Sequence, residues 1–498
     1  MDVYHRSNSV VLAACLAVAS GAGISCTGFD EGSALPAGSV PTIRPDYSGS
    51  VIPPNIAPLN FAIGDSGERF AVVISSIKGP KISLVSVSPE ISIPAGKWRR
   101  LLQENAGSEL SFHVYVERKG RWYSFSPITN RIAPERIDRY LTYRLTYPQF
   151  YMKDRLEIRQ RDVESFGEEL ILSPKDGCFN CHTFYRHSTE RFLFQARFHG
   201  KNYMLLHDRG KTSLITPTLR RPGSAYASWH PNGNLVALAM DGKVSVFPFV
   251  AGRGAEEVLE YTDLDGDLGV YDIRSNTVST TAAISQKDRM ETQPAWSPDG
   301  KYLYFVSCPV VPKEEYQKVQ YDLQRIGYDA DRNTWGEVET LVSAKETGLG
   351  CTFPAVSPDG KFLLFCMTDR GSFSIIRQST DLYLMDLEKK SYKKLEINSD
   401  HSDSYHAWSS NSRWIIFSSK RNDGIFGKLF LSYIDSTGIA HKPIVLPQQD
   451  PRFYEKFTKS FQRAEFTTEP FRVSPAELNG IIGDTDQVIT AAYEEERR

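Results

Sequence analysis

Two cysteines and a histidine form the pattern with the clearest chemistry in this chain. Cys178, Cys181 and His182 lie in the segment CFNCH, which is the C-x-x-C-H signature for attachment of a c-type haem. Each thiol can form a thioether with a vinyl group of one porphyrin, and the adjacent imidazole can bind the iron as an axial ligand. The motif therefore predicts haem c as the cofactor and His182 as the iron ligand.

Three other uses of these residues stay open. Cys178 and Cys181 could form a local disulfide, act as a redox-active thiol pair or supply half of a zinc site, but a zinc site needs about four ligands and no second C-x-x-C occurs. If haem is bound, its iron needs a sixth ligand that the sequence does not choose. The candidates are His199, Met204, His207 and His230.

The N-terminus predicts export. Arg6 precedes an apolar run over residues 10–24, which is shorter than a typical membrane span. Residues 23–26 read Gly-Ile-Ser-Cys, small residues before a cysteine as in a bacterial lipoprotein signal. We expect residues 1–25 to be a signal peptide and Cys26 to be lipidated. The protein would then be anchored in the periplasm or at the outer membrane of a Gram-negative bacterium; an ordinary cleaved signal peptide is the alternative.

The composition is that of a globular protein rich in strands and turns. Of 498 residues, 41% are hydrophobic, and the net charge of −2 argues against a nucleic-acid partner because no basic excess is available to neutralise phosphates. The chain has 24 Tyr, 27 Phe, 35 Gly and 28 Pro, a mixture typical of many short strands joined by turns. We therefore expect an all-β fold.

An internal repeat indicates the architecture. Each copy reads as a short strand, a tight turn and a strongly apolar strand, and in two copies the turn is Ser-Pro-Asp-Gly, which favours chain reversal. The copies are Ser224–Met240, Glu291–Ser307, Cys351–Met367 and Asp403–Ser419. A degenerate fifth copy over residues 181–196 places the C-x-x-C-H motif at the start of the first repeat.

These repeats resemble the TolB-type β-propeller repeat family, whose blades carry the motif P-x-W-S-P-D-G-K. The chain also resembles a group of exported bacterial TolB-like proteins, through IPAGKWRRLL (Ile93–Leu102), C-x-x-C-H-x-F and LPQQDPRFYEKFTKSFQ (Leu446–Gln462). The resemblance implies a multi-bladed propeller, with six blades expected, and brings no settled activity.

The remaining organisation follows from composition and alternation. A short helix is expected over Pro134–Tyr143. The expected order is a flexible tether over 26–55, a small β-sandwich domain over 56–172, the propeller over 175–447 and a partly helical tail over 448–498.

The expected function is that of an exported envelope protein with a binding propeller and a single c-type haem, acting in electron transfer or redox sensing. The alternative is a non-enzymatic scaffold lipoprotein in which Cys178 and Cys181 form a disulfide and the propeller face binds an envelope protein or a small molecule. An enzyme that uses haem or His406 at the propeller mouth is a third possibility. A non-catalytic role is favoured, and His406 is expected near the propeller axis as a structural residue.

Overall fold

The computed structural model describes residues 29–147, 156–173, 177–198, 201–217, 226–241, 244–247, 260–484 and 487–494. In this part the chain is mostly β-strand, with several four-stranded antiparallel sheets and a few short helices. The predicted signal peptide and Cys26 lie outside the described residues, so the export prediction stays a prediction.

The N-terminal part of the described chain is a β region with one helix. A seven-stranded sheet has the order β1-β9-β8-β10-β3, with β5 joined to β8 and β6 to β5, and a three-stranded sheet has the order β2-β4-β7. Helix α1 buries Trp98, Leu101 and Leu102 in the core of this region. The elements are β1 (Leu35–Pro36), β2 (Ile43–Arg44), β3 (Val51–Ile52), β4 (Phe61–Ile63), β5 (Arg69–Ser76), β6 (Ile82–Ser86), β7 (Glu90–Ile91), α1 (Ala95–Glu104), β8 (Glu109–Arg118), β9 (Arg121–Ser124) and β10 (Ile128–Ile132).

The predicted tether over residues 26–55 differs from the structure. From Leu35 onward its strands β1, β2 and β3 belong to the N-terminal sheets, and β3 pairs with β10. Tyr47 and Ile52 are buried. Glycine, serine and proline dominate the composition of this segment, but its few apolar side chains are enough to hold it in the core.

The rest of the described chain supplies 27 further strands and three short helices. They are β11 (Tyr140–Thr146), β12 (Glu157–Asp162), β13 (Glu168–Leu172), β14 (Gly177–Phe184), β15 (Arg191–Phe198), β16 (Lys201–Asp208), β17 (Lys211–Pro217), β18 (Ala227–Trp229), β19 (Leu235–Asp241), β20 (Val244–Phe247), β21 (Glu260–Asp263), β22 (Gly266–Asp272), β23 (Thr277–Ser279), β24 (Arg289–Trp296), β25 (Tyr302–Pro309), β26 (Asp322–Asp329), β27 (Thr334–Val342), α2 (Ala344–Thr347), β28 (Gly350–Val356), β29 (Phe362–Thr368), β30 (Asp381–Asp386), β31 (Ser391–Lys394), β32 (Asp403–Trp408), β33 (Trp414–Ser419), β34 (Lys428–Tyr433), β35 (Ile444–Val445), α3 (Phe453–Lys456), β36 (Ser460–Thr467), α4 (Pro475–Gly483) and β37 (Ile489–Glu494).

Most of these strands form six antiparallel units of four strands in the described part of the chain, which we call sheets 1–6. Named from the inner strand outward, they are sheet 1 (β14-β15-β16-β17), sheet 2 (β18-β19-β22-β23), sheet 3 (β24-β25-β26-β27), sheet 4 (β28-β29-β30-β31), sheet 5 (β32-β33-β34-β35) and sheet 6 (β36-β11-β12-β13). Strand β37 pairs in parallel with β17 and β23 and so joins the outer edges of sheets 1 and 2.

The inner strands of the six sheets contact one another in sequence. Strand β14 contacts β18, β18 contacts β24, β24 contacts β28, β28 contacts β32, β32 contacts β36, and β36 contacts β14. Four-stranded antiparallel sheets with this arrangement are consistent with the blades of a β-propeller.

The predicted repeats coincide with the inner and second strands of sheets 2–5. In sheet 3, Ser297 begins the turn: the Gly300 N–H donates to its carbonyl at 2.9 Å, and its hydroxyl accepts from the Tyr302 N–H at 3.0 Å. Ser357 makes the same two bonds in sheet 4, at 2.8 Å and 3.0 Å. Gly300 lies at φ 74°, a left-handed conformation that glycine adopts without strain.

Sheet 6 crosses two of the predicted domain boundaries. Its three outer strands come from residues assigned to the sandwich, and its inner strand β36 comes from the predicted tail. The helix predicted over Pro134–Tyr143 is wrong, because residues from Tyr140 onward form β11, which pairs with β12 on one side and with β36 on the other. These pairings are long-range and leave no local sequence signal.

Candidate functional site

The C-x-x-C-H motif lies on β14, the inner strand of sheet 1. The register of β14 against β15 shifts between Phe179 and His182, so Asn180 and Cys181 form a bulge. The inner strand of sheet 3 shifts in the same way between Thr292 and Ala295. Cys181 therefore occupies the position of Pro294, and His182 that of Ala295.

His182 is buried between sheets 1 and 6. Its side chain is 1% exposed, and its ring packs against Phe184 and Phe194 with centroid distances of 5.6 Å and 6.1 Å. Burial, reinforced by the positive charges of Arg463 and Arg144, lowers the pKa of His182 to about 3. The imidazole is therefore neutral, and aromatic side chains cover it.

A haem does not fit His182 in this arrangement. An axial ligand must present a ring nitrogen to the iron with the porphyrin alongside it, whereas here the imidazole lies between packed sheets. The side chain of Cys178 lies outside the described atoms, so neither its thioether nor its disulfide with Cys181 is tested. Haem attachment remains a prediction of the motif.

Two of the predicted sixth ligands are already engaged, a third is buried, and the fourth is not described. His230 accepts the Asn232 N–H on Nδ1 at 3.1 Å, and its Nε2 lies 3.1 Å from the Gly300 carbonyl. His207 stacks on Phe192 at 4.8 Å and its Nδ1 contacts a threonine hydroxyl. Met204 is fully buried in the core between sheets 1 and 2. His199 lies outside the described residues.

A cavity of about 240 Å³ lies where the six inner strands meet, and we call it the central cavity. Aromatic and small side chains line most of it, together with a few polar groups. The lining includes Tyr226, Trp296, Phe353, Tyr405, His406, Ala407, Trp408, Arg463 and Glu465. The volume is below the roughly 300–1,000 Å³ of pockets that enclose drug-sized ligands, so the space suits a small molecule or part of a larger one.

Strand bulges give the cavity its shape. Gln293, Phe353, Tyr405 and Arg463 lie at register shifts of β24, β28, β32 and β36, and their φ angles are 55°, 53°, 50° and 50°. A residue at such a bulge is left out of the strand pairing, which re-aims its side chain. Four inner strands thus contribute an equivalent residue to the cavity.

Arg463 is the charged centre of this arrangement. Its guanidinium carbon lies 5.6 Å, 5.2 Å and 5.6 Å from the ring centroids of Tyr226, Phe353 and Tyr405. Phe353 makes edge contacts with both tyrosine rings, at 5.5 Å and 5.0 Å. The three rings come from sheets 2, 4 and 5, whereas Arg463 lies on β36, the inner strand of sheet 6. One cation therefore contacts three other sheets.

Glu465 is the second ionisable group that β36 contributes to the cavity. Burial raises the pKa of Glu465 to about 7, although the charge of Arg463 and the Phe184 backbone N–H act in the opposite direction. Against the effect of burial, the charge of Glu465 in turn raises the pKa of Arg463, although the two side chains form no salt bridge among the described residues. Near neutral pH this carboxyl is therefore only partly ionised.

His406 lines the cavity, which confirms its predicted position. Its Nδ1 lies 3.5 Å from the Cys366 sulfur, and its Nε2 lies 3.2 Å from the Leu364 carbonyl. Burial lowers the pKa of His406 to about 4. Both ring nitrogens are engaged and the ring is neutral, and the structural role of His406 stays a prediction.

The described residues contain neither a metal-binding cluster nor a helix that could span a membrane. Within the described ranges, no three or more His, Cys, Asp or Glu side chains are grouped so that they could hold a metal ion. In the same residues, no helix is both long and apolar enough to cross a bilayer.

Comparisons with known proteins give distant structural similarity alone. No family model and no curated protein matches the sequence. The structure is similar to TolB from Acinetobacter baumannii, at 15% identity and a TM-score of 0.43 over 75% of this chain and 85% of that one. A candidate TolB from Agrobacterium tumefaciens has 12% identity and a TM-score of 0.37, over 66% and 98% of the two chains. A chain of a nidogen–laminin complex has 8% identity and a TM-score of 0.37, over 66% and 100%.

Sequence reasoning missed Arg463 and Glu465. They lie in the segment SFQRAEFT, which has no Ser-Pro-Asp-Gly turn after it because its partner strand β11 lies earlier in the chain. The available signal was alternation of apolar and polar residues over Ser460–Thr467, which is typical of a strand.

Proposed function

We propose that this protein is an exported envelope protein of the TolB-like kind, in which sheets 1–6 form a six-bladed β-propeller and the central cavity binds a ligand without catalysis. The observation that carries the proposal is the shared cavity, to which every inner strand contributes. The N-terminal β region then serves as a support, since its core continues into sheets 4, 5 and 6.

Packing alone does not account for the side chains of the cavity. Trp296 and Trp408 lie at its wall with Ala407 beside them, so aromatic surface faces an open space. Ligand sites in proteins combine apolar walls with a few convergent polar groups, and Arg463 and Glu465 supply such groups here. A non-enzymatic role is favoured because His406 is held by its neighbours.

A fragment screen observed by ligand NMR tests this proposal. We expect small aromatic fragments to bind the wild-type mature chain and to lose binding in Ala407→Phe, because the added ring fills the cavity. Ala492→Phe is the matched control, since Ala492 is exposed on β37 at the outer edge of the sheets. Equal binding by both variants would place the ligand elsewhere and remove the proposal.

Haem-dependent electron transfer or redox sensing is the second candidate, and the C-x-x-C-H motif is the observation that favours it. Such a protein would have to separate sheets 1 and 6 around His182, which is covered in the structure. Protein produced with haem-attachment machinery would show the absorption bands of haem c and lose them in Cys178→Ser or Cys181→Ser. A mature mass without haem from that strain would exclude this candidate.

Membrane anchoring at Cys26 and an envelope location complete the proposal. They rest on the N-terminal sequence alone. The partner at the propeller face would be an envelope protein or a small molecule, and no nucleic acid is expected, given the net charge of −2.

A further inference from the structure

The buried and partly buried arginines around the sheets differ in how their charge is balanced. Four of them pair with a carboxylate: Arg191 with Asp208 at 2.5 Å, Arg289 with Asp322 at 2.9 Å, Arg325 with Glu339 at 2.7 Å and Arg421 with Asp403 at 3.0 Å. Arg325 and Arg421 also stack on aromatic rings. Arg118, Arg161 and Arg186 also lie against rings and have no acid, but each donates to a backbone carbonyl. Each of these arginines therefore has a carboxylate or a carbonyl as its acceptor.

Arg463 departs from that pattern. Aromatic rings surround its guanidinium, but among the described residues no carboxylate lies within salt-bridge distance and no protein acceptor takes its side-chain N–H groups. A guanidinium carries five donors and stays charged at any physiological pH. Glu465 supplies a counter-charge only from beyond salt-bridge distance. The donors of the guanidinium are therefore available to an acceptor in the cavity.

The charge of the cavity limits what that acceptor can be. Arg463 is the only arginine or lysine among the described residues that line it. His406, with a pKa of about 4, is neutral and adds no positive charge. His187 also lines the cavity, and its Nδ1 lies 3.1 Å from the Phe466 carbonyl. Arg144 is not part of the lining and donates to Gln462 at 2.6 Å. Glu465 carries partial negative charge near neutral pH. One cation beside a partly ionised carboxyl favours a monoanion over a dianion.

The shape of the groups indicates a carboxylate on an organic body. A guanidinium fork matches a planar carboxylate through two parallel hydrogen bonds. The rings of Tyr226, Phe353 and Tyr405 offer apolar surface around it, and the volume of about 240 Å³ limits the body to a small one.

We propose that Arg463 binds the carboxylate of a small organic monoanion in the central cavity. This inference rests on the proposed binding function and deepens it by naming the ligand chemistry. Glu465 lies on the same strand and sets the limit on the ligand's charge.

Calorimetric titration of the mature chain with four probes tests the inference. The probes are acetate, benzoate, benzamide as the neutral isostere of benzoate, and inorganic phosphate. We expect benzoate to bind, benzamide and phosphate to bind at least about tenfold more weakly, and Arg463→Gln to weaken benzoate by about tenfold or more, as for a lost charge-assisted pair. Arg325→Gln is the matched control, because it removes an arginine stacked on a tyrosine outside the cavity.

Arg463→Lys keeps the test decisive if Arg463→Gln does not fold. The variant retains the positive charge but loses the planar guanidinium, so its affinity for benzoate should fall severalfold. A site that recognises charge alone would keep its affinity for benzoate. Benzamide binding as tightly as benzoate would overturn the carboxylate inference and leave the cavity as a binding site, which Ala407→Phe tests separately. Tighter binding of phosphate, or no binding of either acetate or benzoate, would also overturn it.

Discussion

Replacement of Glu291 by glutamine is expected to make the protein less sensitive to rising pH. Glu291 lies on β24, is fully buried, and accepts a hydrogen bond from Ser307 at 3.3 Å. Asp267 on β22 is also buried. Burial, reinforced by the charge of Asp267, raises the pKa of Glu291 from its ordinary 4.5 to about 8.

The sign and size of the effect follow from proton binding. Between the two pKa values, the folded state holds a proton on Glu291 that the unfolded state has released, so the free energy of unfolding falls as pH rises. The contribution of protonated Glu291 to the free energy of unfolding is fully present below pH 4.5. It declines between pH 4.5 and about 8 and is lost above that. Between about pH 6 and about pH 8, ionisation of this carboxyl alone lowers the free energy of unfolding by about 2 kcal/mol.

Denaturant unfolding of the mature wild type and of Glu291→Gln, measured at intervals across that range, checks the prediction. The free-energy difference between the two proteins should grow in favour of the glutamine variant by about 2 kcal/mol from about pH 6 to about pH 8. Glu314→Gln is the control, because Glu314 is exposed in the segment after β25. A difference that stays constant with pH would refute a raised pKa at Glu291.

Four further outcomes are expected. Trp296→Ala should cost about 3–5 kcal/mol in denaturant unfolding, because Trp296 is 6% exposed and packs on His230 at 4.7 Å. A chain that ends at residue 459 lacks β36 and should lose its protease-resistant core in limited proteolysis, whereas a chain that ends at 484 should keep it. Cys26→Ala should move the protein from the membrane to the soluble periplasmic fraction in cell fractionation. Arg463→Met should be as stable as the wild type without ligand, or more stable by up to about 4 kcal/mol, because a partly buried charge without a salt bridge is removed; a clear loss in denaturant unfolding would make Arg463 a structural residue.

The part of the fold that could be predicted from sequence is the part whose information is local. The Ser-Pro-Asp-Gly turns fix the reversal between the inner and second strands, since Ser297 and Ser357 close the same hydrogen-bonded turn in sheets 3 and 4. Each apolar run after a turn then reads as a buried strand. Sheets 2–5 follow from these features, and so does the position of His406 at the cavity.

Sheet 6 could not be predicted in this way. Leu141 and Tyr143 on β11 pair with Arg161 and Arg159 of β12, and β11 pairs on its other side with β36, more than 300 residues later in the sequence. The spacing of apolar residues in that segment suits one face of a helix as well as a strand buried on both sides. Only the pairing with β36 decides between helix and strand, and no pattern within the segment indicates that pairing.

The candidate site also has a part that the sequence could predict and a part that it could not. A motif of adjacent residues drew attention to Cys181 and His182, yet their neighbours decide what they can do, and Phe184 and Phe194 cover the imidazole. Arg463 belongs to no recognisable sequence motif. Its role depends on the ring of Tyr226, directly before β18, and on rings of β28 and β32, which no spacing in the sequence relates to it.

Strand β36 links the stability of the sheets to the proposed ligand site. Strand β36 completes sheet 6 and, in the same segment, carries Arg463 into the centre, so the cavity acquires its cation only when the sheets have closed. An anion that binds only the folded protein would stabilise the closed state in proportion to its occupancy. An apolar side chain at this bulge would serve the fold at least as well. The arginine there is therefore the residue on which the proposed binding function depends, in line with the stability that functional sites give up.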